Sequence, residues 1–192
     1  MKYYRRAVFG GLLAVAAFAS PVLADSYRID PGHTQVTFTV KRFGFNHVIG
    51  AFDKVTGTFD LDEDNPENSG ASVSIDTTSL YTGNPERDVI VHSRFWLNTE
   101  NYPTITFTST AVEKTGEDTA KVSGNLTLLG VTRPVILDAT LHKIGTEPAV
   151  RKKAAGFTAT ARLLRSDYGL TTAVGPIGDG VLIRIEVLGI AE

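Results

Sequence analysis

Four histidines, a run of alternating aspartates and a glycine-rich loop are the side chains whose type and spacing invite a chemical reading. His33, His47, His92 and His142 make no His-x-His or His-x-x-x-His pair. No local zinc signature therefore exists, and isolated hydrogen-bonding or surface histidines are the ordinary reading. Asp60, Asp62 and Asp64 resemble the opening of a calcium loop, but Asn65 stands where that loop needs glycine and Ala71 where it needs glutamate. The residues read as a solvated acidic turn, and no metal is expected. Ser93 lies beside His92 and near Asp88, yet a triad is defined by roles in space, not by adjacency. No Gly-x-Ser-x-Gly elbow occurs, and the glycines of Gly175-Pro176-Ile177-Gly178-Asp179-Gly180 have the wrong spacing for a phosphate or dinucleotide loop. The chain has no cysteine, which excludes thiol chemistry and a disulfide framework. Binding, more than catalysis, is the first hypothesis.

The elements that would position a binding site are strands. Val36-Thr37-Phe38-Thr39-Val40, Ile105-Thr106-Phe107-Thr108 and Val181-Leu182-Ile183-Arg184-Ile185-Glu186-Val187 alternate apolar and polar residues, which puts one greasy and one wet face on a sheet. Strand candidates are Gln35–Arg42 (with Tyr27–Ile29 before it), Val48–Asp62 bent around Gly57, Ala71–Ile75, Thr104–Glu113, Thr119–Leu129, Val135–Ile144, Ala154–Leu164 and Val181–Ile190. About eight such strands suit a small up-and-down barrel, with a sandwich as the alternative. The longest interruption, Thr77–Pro103, carries Asn84-Pro85 as cap and first turn, then Glu86 and Asp88. It predicts a short helix from about Pro85 to Phe95, with Val89, Phe95 and Trp96 covering one end of the barrel.

Met1 to Ala24 reads as a secretory signal peptide. Lys2, Arg5 and Arg6 form its basic start, Ala7 to Ala19 its apolar stretch, and Val22-Leu23-Ala24 its cleavage site. Cleavage after Ala24 leaves residues 25–192 as one domain with 16 basic and 21 acidic residues, a net charge of −5. That balance argues against nucleic acid and offers no basic patch for acidic lipid.

Phe38, Val40, Phe52, Phe59, Phe107, Leu126, Leu128, Phe157, Ile183 and Ile185 sit at alternating strand positions and point inward together. Periodicity leaves two readings of that face open, a solid core and a ligand cavity.

Gly124-Asn125-Leu126-Thr127-Leu128-Leu129-Gly130-Val131-Thr132-Arg133-Pro134-Val135 resembles the signature of the YceI-like family of exported polyisoprenoid-binding proteins. Three other stretches agree: Tyr27-Arg28-Ile29-Asp30 with His33 and Gly50-Ala51-Phe52; Glu86-Arg87-Asp88 with Leu97-Asn98 and Tyr102-Pro103; and Arg165-Ser166-Asp167-Tyr168-Gly169. The resemblance spans nearly the whole mature chain. It implies an all-β fold, a lipocalin-like barrel of eight antiparallel strands with a short helix between strands, in the periplasm and without enzymatic activity. The ligand it implies is a long isoprenoid or similar lipid, such as a quinone tail, with no cofactor. Arg42 stands where many members have histidine, and Leu129 occupies a turn position that is usually polar.

On that reading the inward apolar face holds the tail, and His33, Arg42, Arg87 and Arg165 are candidates to meet a polar head. Ordinary loop and ion-pair work is their competing role, and Arg87 beside Asp88 reads as a structural pair. Stable membrane insertion is not expected, and nothing in the sequence bars a homodimer. Two alternatives stay open: an eight-stranded outer-membrane barrel, which turns its apolar face outward, and an enzyme acting on a barrel-bound lipid. Against the first, the strands lack clear aromatic girdles.

Overall fold

The computed structural model describes residues 24–192, so the expected signal peptide lies, apart from Ala24, outside the described residues. Strands β1 (Asp25–Ile29) and β2 (Gln35–Arg42) are followed by β3 (Asn46–Phe52), β4 (Val55–Leu61), β5 (Gly70–Asp76) and the two-residue β6 (Leu80–Tyr81). Helix α1 (Pro85–His92) precedes the long strands β7 (Thr104–Lys114), β8 (Thr119–Leu128), β9 (Val131–Glu147), β10 (Lys152–Leu164) and β11 (Ile177–Ala191). Every pairing between strands is antiparallel.

Eleven strands make eight staves. β11 pairs with β2 along its first half and with β1 along its last residues, so β1 and β2 form one interrupted stave. β3 pairs with β2 and β4 with β1, which makes β3 and β4 a second interrupted stave. β5, β7, β8, β9, β10 and β11 complete the ring, and β11 meeting β1 closes it. The fold is the closed eight-stranded antiparallel barrel with one short helix that the alternation and the resemblance predict. Closure pairs each stave with a neighbour on both sides along part of its length, while the staggered ends of strands such as β3 and β7 are paired on one side only.

Two expectations about the second stave change. Its break falls at Asp53-Lys54, between β3 and β4, and the register runs without interruption through Gly57, opposite Val73. Gly57 answers a different need: at φ +145°, a Cβ there would lie 2.1 Å from the Ser72 carbonyl oxygen. β9 also starts earlier than Val135, because Leu129-Gly130 forms a two-residue turn that pairs Leu128 with Val131 at once. Both turn residues have positive φ, 52° and 74°, as the tightest hairpins require. Leu129 is not the exposed turn residue its position suggests, since it packs half-buried against the main core cluster.

The helix forms where its cap predicts. The Asn84 side chain accepts from the Arg87 backbone N–H at 3.0 Å, and Pro85 opens the first turn. It stops at His92, where the Ser93 hydroxyl donates to the Ile90 carbonyl at 2.7 Å. Its orientation differs from expectation. Val89 is 72% and Phe95 61% exposed, and it is Ile90, Val91, Trp96 and Leu97 that reach the barrel interior. Arg87, Ile90 and Val91 share a helical face by their spacing of three and four, which turns Val89 away.

Candidate functional site

The barrel encloses a cavity of about 1000 Å³. All ten inward candidates, from Phe38 to Ile185, lie on its wall. Between the two ends of the barrel every lining residue is apolar. Titratable side chains enter the lining only at the ends, so no nucleophile and base converge in mid-cavity. The outward positions carry the polar half of the alternation: Arg184 is exposed and its guanidinium pairs with Glu186 at 2.6 Å. That is the reverse of an outer-membrane barrel, whose lipid-facing side is apolar.

The side chains leave this space unfilled because the largest of them lie along the wall. A Cβ added at Gly50 would come within 2.3 Å of the Phe38 ring, one at Gly124 within 2.4 Å of Phe107, and one at Gly189 within 2.2 Å of Phe59. Each of these phenylalanines rests in the gap left by a glycine on the barrel wall. Ring contacts fix them further. Phe38 tilts against Phe52 at 5.9 Å, and Phe59 stacks on Tyr27 at 4.9 Å and meets Phe157 edge-on at 5.5 Å. Small residues add room: Ala159 and Ala161 of β10 also face the lumen.

The two ends differ in charge. At the end formed by the β2–β3 hairpin, α1 and the loop after β10, the lining includes Arg42, Arg87 and Arg165 against Glu86. At the opposite end it includes Asp60, Asp62, Glu63, Glu117 and Asp118 against Lys114. Asp62 is committed to its turn. Its carboxylate accepts from the backbone N–H groups of Asn65 and Asp64 and from the Asn68 amide, at 2.8, 3.1 and 3.1 Å. Those hydrogen bonds, the Asn65 N–H first, hold its pKa below the usual carboxylate range. Among the described residues no group of three or more His, Cys, Asp or Glu is placed to hold a metal ion.

The four head-group candidates separate. His33 lies outside the cavity lining, exposed, with its Nδ1–H donating to Asp30 at 2.7 Å. Arg42 stands at the rim with its guanidinium 4.6 Å over the Phe43 ring. Arg87 also lines the cavity, but it does not pair with Asp88. Its Nε and Nη2 donate to the Thr82 hydroxyl and carbonyl at 2.7 and 2.8 Å, and Asp88 separately accepts from the Thr82 N–H at 2.9 Å. The two charges converge on Thr82 and so moor the helix to the end of β6.

Arg165 is 4% exposed. Its guanidinium donates to the carbonyls of Leu170, Gly178 and Ile177 at 2.8, 2.9 and 3.1 Å, and lies 5.4 Å from the Trp96 ring. Burial pushes its pKa down, and nearby Asp179 opposes this. Asp179 itself accepts from the Ser166 N–H and hydroxyl at 2.9 and 2.7 Å. Arg165 is thus a strut that folds the 165–180 loop over the barrel end, with all three nitrogens occupied. Trp96 lines this end, as the sequence predicts for a residue covering the barrel. Tyr168, the buried aromatic of the Arg-x-Asp-aromatic-Gly turn, lines it too, and the sequence alone gives it no such role. Ala159 and Ala161 are lining positions that their small size hides in the sequence, although their alternation with Thr158 and Thr160 carries the same period of two.

A closed antiparallel barrel around an apolar cavity, polar only at its two ends, defines a barrel shaped to enclose an apolar ligand. The YceI-like domain matches residues 27–188. The chain belongs to the YceI-like family. It is 39% identical over 176 residues to Protein YceI of Escherichia coli O17:K52:H18, covering 91% of each chain. Among solved structures it is similar to Burkholderia cenocepacia BcnA, with a TM-score of 0.76 and 22% identity over 83% of this chain and 98% of that one. A polyisoprenoid binding domain from Saccharophagus degradans superposes with a TM-score of 0.66 and 18% identity, over 88% of this chain and 99% of the other.

Proposed function

We propose that this protein holds a long-chain isoprenoid or similar amphiphilic lipid, quinone-like or polyprenyl, with its tail in the barrel and its head toward the end bearing Arg42 and Arg87. The apolar cavity of about 1000 Å³ carries the reading. The relative from Saccharophagus degradans, described as a polyisoprenoid binding domain, supports it. Burying one CH₂ stabilises by about 0.8 kcal/mol, so each five-carbon unit contributes roughly 3–4 kcal/mol before costs. Micromolar affinity needs only about 8 kcal/mol, which a few units supply after ordering losses. No cofactor is needed. The protein acts in the periplasm once residues 1–24 are removed, in carriage, storage or stress response, and it is not an enzyme. Residues that read as a signal peptide support that location.

The test is to express the full chain, purify it from the periplasm without detergent, and identify bound lipid by native mass spectrometry and organic extraction. A stoichiometric isoprenoid or quinone is the expected result. Phe38→Arg, which puts a charge into the apolar lumen, should lose it while keeping the barrel's circular dichroism. A folded Phe38→Arg protein that retains lipid would overturn the assignment of the tail to this cavity.

A further inference from the structure

Exposed apolar side chains gather at the basic end of the barrel. Phe45 is 92% exposed, Val89 72%, Phe95 61%, Ile90 54%, Phe43 52% and Val174 42%. They come from three segments that hydrogen bonds tie into one surface. The Phe43 N–H donates to the Pro176 carbonyl at 2.6 Å, and the Thr172 hydroxyl donates to the Phe95 carbonyl. The 165–180 loop therefore bridges the β2–β3 hairpin and the segment after α1. At the acidic end, Val150 alone among the large apolar residues described is exposed to a similar degree.

Two of these rings carry a cation. The Arg42 guanidinium sits 4.6 Å over Phe43, and that of Arg94 4.7 Å over Phe95. A ring beside a guanidinium suits the boundary of a bilayer, where aromatics settle at head-group depth and arginines meet phosphate. The rim also opens directly into the lumen. Phe43 and Ile90 line the cavity and are each more than half exposed, so apolar surface runs unbroken from inside to outside.

We propose that this end is a docking face for an anionic phospholipid bilayer, bringing the mouth of the cavity against the membrane. The charge distribution selects that occupant: the composition offers no basic patch for acidic lipid, but the fold gathers Arg42, Arg87 and Arg94 at one end. A second copy meeting this face would bring the Arg42 and Arg94 guanidinium groups against their own counterparts. An anionic surface attracts this end and repels the acidic one, which orients a chain whose mature net charge is negative. The proposal is separable from the cavity reading, because docking requires only the rim.

Co-flotation with phosphatidylcholine vesicles, with and without phosphatidylglycerol, tests it on the mature protein. Wild type should float with phosphatidylglycerol vesicles, and raised salt should weaken this. Arg42→Gln with Arg94→Gln should cut partitioning by roughly tenfold or more, at about fivefold per arginine. Phe45→Ser with Phe95→Ser should reduce it by at least about tenfold while lipid stays in the cavity, since neither ring lines it. Phe38→Arg should dock as wild type does, so failure to dock and failure to hold a tail are read separately. Three results would overturn the docking face: no preference of wild type for phosphatidylglycerol, flotation indifferent to the Phe45 and Phe95 changes, or a wild-type dimer in ultracentrifugation that Phe45→Ser dissolves.

Discussion

Filling part of the lumen should shorten the longest ligand the barrel prefers. Ala161 of β10 is 7% exposed and faces the cavity beside Phe107 and Val135. Ala161→Trp adds about nine non-hydrogen atoms, nearly the number in two five-carbon units, to a lumen of about 1000 Å³. Strands of ~10 residues tilted ~40° stand about 25 Å tall, the length of about five extended units of ~5 Å. Affinity for a series of prenyl alcohols should therefore tighten by at least about tenfold per unit and level off at about five units. In Ala161→Trp the plateau should arrive about two units earlier. The added ring enters the lumen and not a packed core, so urea denaturation should register a change below about 1 kcal/mol. Competition measured by native mass spectrometry, on protein stripped of lipid, reads both curves. An equal loss of affinity at every chain length, or an unchanged plateau, would refute the idea that tail length is measured by this lumen.

Other expectations follow from single contacts. Gly57→Ala should cost about 3 kcal/mol or more in urea denaturation, because its Cβ would meet the Ser72 carbonyl oxygen at 2.1 Å in a backbone conformation that disfavours side chains; a loss under about 1 kcal/mol would show that β4 and β5 can part locally. The Tyr27 hydroxyl is buried near the Lys153 ammonium with no partner in hydrogen-bonding geometry; burial pushes its pKa up, and Lys153 opposes this. Tyr27→Phe should raise stability by about 1 kcal/mol, and a clear loss would reveal a partner for that hydroxyl. The hydrogen bond to Asp30, with its charge, raises the His33 pKa, and the same bond lowers that of Asp30. The pair's contribution is complete below the ordinary histidine value, down to the carboxylate range, and fades as pH rises through the raised pKa. An NMR titration should place His33 above its ordinary value and return it there in Asp30→Asn; identical titrations would remove the pair.

The fold was largely legible because a barrel wall writes its period directly into the chain. Gln35–Arg42 is legible to the residue, since Phe38 and Val40 alternate with threonines. Whether the interior is packed or hollow was not legible, because both use the same inward residues. The difference lies in pairs such as Phe38 with Gly50 and Phe59 with Gly189, which only the register brings together. The strut role of Arg165 was hidden for a similar reason. Its acceptors are backbone carbonyls of Leu170, Ile177 and Gly178, and a carbonyl has no sequence signature. Helix α1 was located by its cap, but two turns carry too few apolar residues to say which face turns inward.

The ring is sealed where the Thr34 hydroxyl meets Leu188, 154 residues away along the chain. Until that seam zips, the remaining staves form a curved sheet with two raw edges and an unroofed apolar face, a state open to sticking to its neighbours. Contacts this remote in sequence make for slow folding. A lipid that touches both sides of the seam, Val36 on β2 and Ile185 on β11, favours only the closed ring. Cargo captured late in folding would then act as the clasp of its own container, and the rate of sealing would depend on how much lipid is within reach.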